Sequence, residues 1–175
     1  MKSLIIAAAS VAALAVAAPA MAQDRSVSLY GSAGYAHGDF EGVDLGALQG
    51  RFGARFVQYF GVEGELAGGV KGDDVRVLGT NYDVDLDYSA AVYGVGYLPV
   101  TPNADLFARV GYGKSEISID GPGVGASGDG ESWNYGVGGQ YFFTPKDGVR
   151  LDVTRHDFDD GGEADVISVG YTRKF

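Results

Sequence analysis

The ten residues from Val166 to Phe175 constrain this chain more than any other stretch. Ile167, Val169, Tyr171 and Phe175 form an apolar row at alternate positions, and Ser168, Gly170, Thr172 and Lys174 form a small or polar one. Alternation with period two describes a strand with one greasy and one wet face. The sequence stops on an aromatic residue inside that pattern. A soluble chain rarely leaves a Phe exposed there. A closed barrel in a bilayer does, because its last strand must pair with its first and seat an aromatic at the interface.

The rest of the chain repeats the pattern. Eight alternating stretches are expected: Ser26 to Ala36, Leu48 to Val57, Gly61 to Val70, Val84 to Leu98, Asp105 to Ile117, Ser132 to Phe143, a run from Val149 to Thr154, and the closing strand. Apolar rows such as Leu48, Phe52, Phe56 or Trp133, Tyr135, Val137, Tyr141 define one face. The opposite row carries Gln49, Arg51, Arg55, Glu63, Glu65, Arg109, Arg150, Asp152 and Lys174. Only Val84 to Leu98 is apolar on both parities; setting Asp85 and Asp87 on the wet side turns Val92 and Leu98 outward. The link Pro99 to Asn103, with two prolines, is expected outside strand interior. Gaps at His37 to Ala47, Lys71 to Asp83, Ser118 to Glu131 and Asp157 to Ala164 are long, and the alternate gaps are brief. Long loops at one end and tight turns at the other fit an eight-stranded antiparallel, all-β, up-and-down transmembrane barrel.

Residues 1–22 read as a cleaved signal peptide: Lys2, an apolar run from Leu4 to Ala18, then Ala20-Met21-Ala22, with Gln23 as the mature start. The 175 residues less 22 leave 153, one domain from 23 to 175. That domain keeps 12 of the 13 basic residues against all 23 acidic ones, so the net charge moves from −10 to −11. Such acidity argues against nucleic acid and offers no basic patch to anionic lipid. With no cysteine, no disulfide framework is available. Twenty-nine glycines and 11 tyrosines suit a sheet at an interface rather than helices.

Eight strands enclose an interior that side chains just fill. The inward charges Arg51, Arg55, Glu63, Glu65, Arg109, Arg150, Asp152 and Lys174 are therefore expected to pair with one another, since an unpaired buried charge is costly. A three-residue turn at Gln58-Tyr59-Phe60 would set Arg55 opposite Glu63 and Arg51 diagonal to Glu65. The alternative is that this row lines a narrow channel for small solutes. A soluble lipocalin-like barrel is a weaker reading, because its greasy row faces inward.

Tyr59-Phe-Gly-Val-Glu-Gly-Glu65, Gly96-Tyr-Leu-Pro-Val-Thr101 and Asp105-Leu-Phe-Ala-Arg-Val-Gly-Tyr112 resemble the eight-stranded OmpA-type transmembrane domain. More broadly, they resemble the small porin-family outer-membrane barrels of Gram-negative bacteria. The resemblance implies residence in the cell outer membrane, a monomer in contact with lipid and lipopolysaccharide, and delivery by the barrel assembly machinery. It also places Glu63 in an interior salt-bridge network and makes the closing row Ile167, Val169, Tyr171 and Phe175 the assembly signal. Two departures stand out: no peptidoglycan-binding domain is expected after the barrel, so cell-wall anchoring is not implied, and Arg173 occupies a position where an aromatic is usual. Arg173 has lipid-facing parity, tolerable only where it can snorkel to the interface.

Some barrels of this size are lipid A deacylases or palmitoyl transferases. Nucleophilic chemistry needs a Ser within reach of a base. His156 is followed by Asp157-Phe158, and His37 stands beside a loop, so no enzyme, cofactor or metal centre is expected. Asp157-Phe-Asp-Asp-Gly-Gly-Glu-Ala-Asp165 is rich in oxygen ligands, but its spacing is not that of an EF-hand and it reads as a solvated acidic loop.

Overall fold

The computed structural model describes residues 27–40, 43–71, 73–77, 80–121, 124–159 and 161–175. The predicted signal peptide and Gln23 lie outside them. Among the described residues nine strands follow in order: β1 (Ser28–Phe40), β2 (Val43–Val57), β3 (Phe60–Lys71), β4 (Asp73–Val77), β5 (Thr80–Thr101), β6 (Ala104–Gly121), β7 (Val124–Phe142), β8 (Asp147–Phe158) and β9 (Glu163–Lys174). The sheet runs β3-β2-β1-β9-β8-β7-β6-β5, and pairing of β3 with β5 closes the ring. Eight staves thus make the barrel. Among the described residues the remaining strand, β4, is a short addition paired with the start of β5, Asp73 opposite Val84 and Val77 opposite Thr80.

The closing seam joins β9 to β1 from Tyr30↔Lys174 to Phe40↔Ala164. Beyond it the Phe175 amide donates to Leu29 O at 2.9 Å. At the heart of this seam Gly34 faces Gly170. A Cβ on Gly34 would come within 2.2 Å of Val169 O, so the two backbones meet where no side chain fits.

Alternation decides which face is which. Along β8 the burial pattern is strict: Gly148, Arg150, Asp152 and Thr154 are buried, while Val149, Leu151 and Val153 are exposed. Exposed apolar rows continue around the outside with Leu48, Phe52, Leu66, Val92, Leu106, Val110, Trp133, Val137, Ile167 and Val169. A surface of this kind is solvated by lipid, and closure pairs each barrel stave with a neighbour on both sides.

The doubtful stretch resolves as expected on its outward side, with Val92 and Leu98 exposed; the side chains of Asp85 and Asp87 lie outside the described residues. Its second apolar row has a use. Tyr93, Val95 and Tyr97 point inward and pack with Phe107 of β6 into a buried cluster.

Three expectations change. The four long gaps are mostly not loops: pairing runs on to Phe40↔Val43, Gly121↔Val124 and Asp157↔Glu163, and β4–β5 occupies much of the second gap. Antiparallel ladders can continue past the membrane with both faces wet, and there the apolar alternation that marks a strand disappears. Pro99 belongs to β5, opposite Asp105. It lies beyond Gly96, the last β5 residue paired to β3, next to a register shift, where a missing amide is tolerated. Finally, the β2–β3 turn holds two residues, Gln58 and Tyr59, between the pair Val57↔Phe60. At the other end Gly161 and Gly162, with φ of 87° and 116°, turn β8 into β9 in a conformation that favours glycine.

Candidate functional site

The candidate site is the charged interior, built by inward rows of β2, β3, β6 and β8. A register shift between Arg55 and Val57 sets how β2 meets β3, giving Arg51↔Glu65, Gly53↔Glu63 and Arg55↔Gly61. Arg51 therefore sits directly across from Glu65 rather than diagonal to it, with Nε 2.8 Å from Glu65 Oε2. Its other two nitrogens reach across the barrel to Asp152, at 2.6 and 2.9 Å.

Arg109 occupies the centre. Its Nη1 lies 2.6 Å from Glu65 Oε2 and 3.2 Å from Glu63 Oε1, and its Nη2 lies 3.0 Å from Asp152 Oδ1. Arg150 grips Glu63 with both Nη atoms, at 2.5 and 3.1 Å. Three arginines and three carboxylates thus form one neutral cluster, every side chain of it 5% exposed or less. Charges so deprived of water persist only because each is matched.

Aromatic rings and neutral groups complete the site. The guanidinium of Arg109 lies over Tyr93 at 4.3 Å and that of Arg150 over Phe107 at 4.0 Å, where a ring face attracts a cation. Tyr30 donates to Glu63 at 2.7 Å and receives the hydroxyl of Tyr97 at 2.8 Å. Thr154 accepts from Arg109, and Asn134 donates to Tyr93.

Arg55 does not meet Glu63. The shifted register carries it toward the tight-turn end, where it pairs with Asp105 at 3.0 Å, donates to Gln58 O and lies over Tyr97 at 4.3 Å. Gln140 also donates to Asp105, at 2.9 Å. Lys174 rests its ammonium over Phe142 at 3.5 Å. Asp105, Tyr30, Tyr93, Tyr97, Phe107 and Thr154 are members that the charge pattern did not single out. Asp105 shares the parity of Arg109, a signal that was available in the sequence.

On the outer surface Arg173 is exposed with lipid-facing parity, as expected, and sits near the end of β9, opposite Asp147 at the start of β8. It pairs with Asp147 at 2.8 Å, and Tyr171 donates to the same carboxylate. The Phe175 ring lies beside Gly31, where an added Cβ would be 3.5 Å from it. Ile167, Val169 and Tyr171 are exposed along the same row. His156 is stacked on Phe158 and lines a cavity of about 80 Å³ between the cluster and the long-hairpin end.

Comparison with known proteins comes down to one family model and a set of folds. The model of the outer membrane protein β-barrel domain matches residues 6–175. No curated protein matches in sequence. Ail, the attachment invasion locus protein of Yersinia pestis, solved in complex with the heparin analogue sucrose octasulfate, is 19% identical with a TM-score of 0.63, covering 86% of this chain and 99% of its own. The N-terminal β-barrel domain of Pseudomonas aeruginosa OprF is 13% identical with a TM-score of 0.61, covering 85% and 97%. OprG from Pseudomonas aeruginosa is 13% identical with a TM-score of 0.60, covering 86% and 97%. At these identities the likeness is one of fold.

Proposed function

We propose that this chain, which belongs to the outer membrane protein β-barrel domain family and resides in the cell outer membrane, is a non-enzymatic structural barrel closed by its own ionic interior. The observation that carries this reading is the neutral cluster of Arg51, Arg109 and Arg150 with Glu63, Glu65 and Asp152. It spans from β2 and β3 across to β6 and β8, with bonds of 2.5 to 3.2 Å and no charge left over. A solute passing through would have to part matched buried ions, which is costly.

The barrel works as a monomer among lipid and lipopolysaccharide, after insertion by the barrel assembly machinery. Its long hairpins present a surface to partners outside. That surface is acidic: Asp39, Glu131, Asp157, Asp159, Glu163 and Asp165 are exposed, with Arg155 engaged to Glu163 and Asp165. Ail was solved with a polysulfated sugar. The acidic rim here would repel such a polyanion, so cationic or neutral partners suit it better.

Liposome swelling tests the closed reading. Vesicles carrying the folded protein should swell in isosmotic arabinose no faster than empty ones. Swelling that scales with protein content would instead make the barrel a narrow channel.

A further inference from the structure

The interior cluster leaves two polar atoms over. Arg150 Nε and Ser168 Oγ are buried and lack a hydrogen-bond partner among the described residues. Asp152 Oδ2 is 3.5 Å from Arg150 Nε, close enough for attraction but not for a hydrogen bond. Arg150 is 1% exposed and Ser168 2%. Buried polar groups without a partner are rare and call for one.

Both side chains line one small cavity, together with Ser32, Gly34, Gln49 and Arg51. Its volume is about 10 Å³, roughly the one probe sphere that a single water requires. Gln49 also lines the larger cavity of about 80 Å³ toward the long hairpins. Gln49 is thus the lining residue the two cavities share, and it stands between the cluster's small cavity and the space toward the long hairpins.

The chemistry selects water over an anion. Both groups can donate, a feature that a halide would also accept. The surrounding charges are already balanced, however, and an anion there would lie close to the Asp152 carboxylate. A water molecule accepts from Arg150 Nε–H, exchanges a hydrogen bond with the Ser168 hydroxyl, and still has protons for other acceptors. We propose that Arg150 Nε and Ser168 Oγ form a built-in site for one ordered water, held beside the β1–β9 seam.

The test is a high-resolution crystal structure of the refolded protein grown with bromide in place of chloride, with data recorded at the bromine absorption edge. The expected result is one density peak within about 3.2 Å of both atoms, with no anomalous signal. Ser168→Val, which fills the cavity with methyl groups, should lose the peak. Ser168→Ala, which leaves room, serves if the valine variant does not fold, and should keep a peak on Arg150 Nε. A bromine signal at the site would overturn water in favour of a halide. An empty wild-type cavity would overturn the site altogether.

Discussion

Glu63→Ala should be the most damaging single change to the interior. The Glu63 side chain is 0% exposed. It accepts from Arg150 at 2.5 and 3.1 Å, from Arg109 at 3.2 Å and from Tyr30 at 2.7 Å. Without it Arg109 keeps Glu65 at 2.6 Å and Asp152 at 3.0 Å, so that cation stays matched. Arg150 keeps one carboxylate of the cluster, Asp152 at 3.5 Å from Nε, and the ring of Phe107. One buried cation, not two, is therefore left nearly unpaired, which costs roughly 3–5 kcal/mol. Adding Arg150→Ala removes that stranded charge, so the double variant should recover about 1–3 kcal/mol of the summed losses. The same cycle run with Arg55→Ala should be additive to within about 0.5 kcal/mol, because Arg55 bonds Asp105 and does not touch Glu63. Urea unfolding in lipid vesicles, followed by the gel shift between folded and unfolded forms, measures all of these. A loss below about 1 kcal/mol for Glu63→Ala, against the 3–5 expected of a broken buried pair, would refute the reasoning. So would strict additivity with Arg150→Ala.

Other outcomes follow from the seam, the lipid face and the rim. Gly34→Ala would push a Cβ to 2.2 Å from Val169 O, so it should destabilise the barrel by roughly 1–3 kcal/mol, read in the same unfolding assay. Val137→Arg places a charge on the lipid-facing row and should cost about 2–4 kcal/mol if it lies near the midplane. Deleting Phe175 removes both the amide bond to Leu29 O and the ring beside Gly31, so the heat-modifiable fraction in outer membranes should fall sharply; Arg173→Tyr should leave that fraction unchanged or raise it. The Asp165 carboxyl, on the exposed rim, is held below its usual range by hydrogen bonds from Arg155. Its small stabilising effect should be present at neutral pH and fade as acid protonates it, and Arg155→Ala should raise its titration midpoint by NMR.

Much of this architecture was legible because a bilayer enforces simple rules. Alternate exposure of Val149, Leu151 and Val153 against buried Arg150, Asp152 and Thr154 is written directly in β8. What could not be read is register. The Arg55/Val57 shift and two-residue turn at Gln58–Tyr59 carry no Asn-Gly or Gly-rich signature, yet they set Arg51 against Glu65 and move Arg55 away from Glu63. Partners across the barrel are harder still. Arg51 and Asp152 are 101 positions apart and Arg150 and Glu63 are 87 apart, joined only by strand stagger and side-chain reach. The stretch from Tyr93 to Tyr97 looked ambiguous because its second apolar row serves as a floor for arginines, not as a greasy exterior.

Single-channel recording in planar bilayers tests the central claim most directly. With the cluster of Arg51, Arg109, Arg150, Glu63, Glu65 and Asp152 in place, the folded wild-type protein should give no discrete conductance steps above the bare membrane. Reproducible, long-lived steps from the heat-modifiable form would show that the matched ions do not close the barrel.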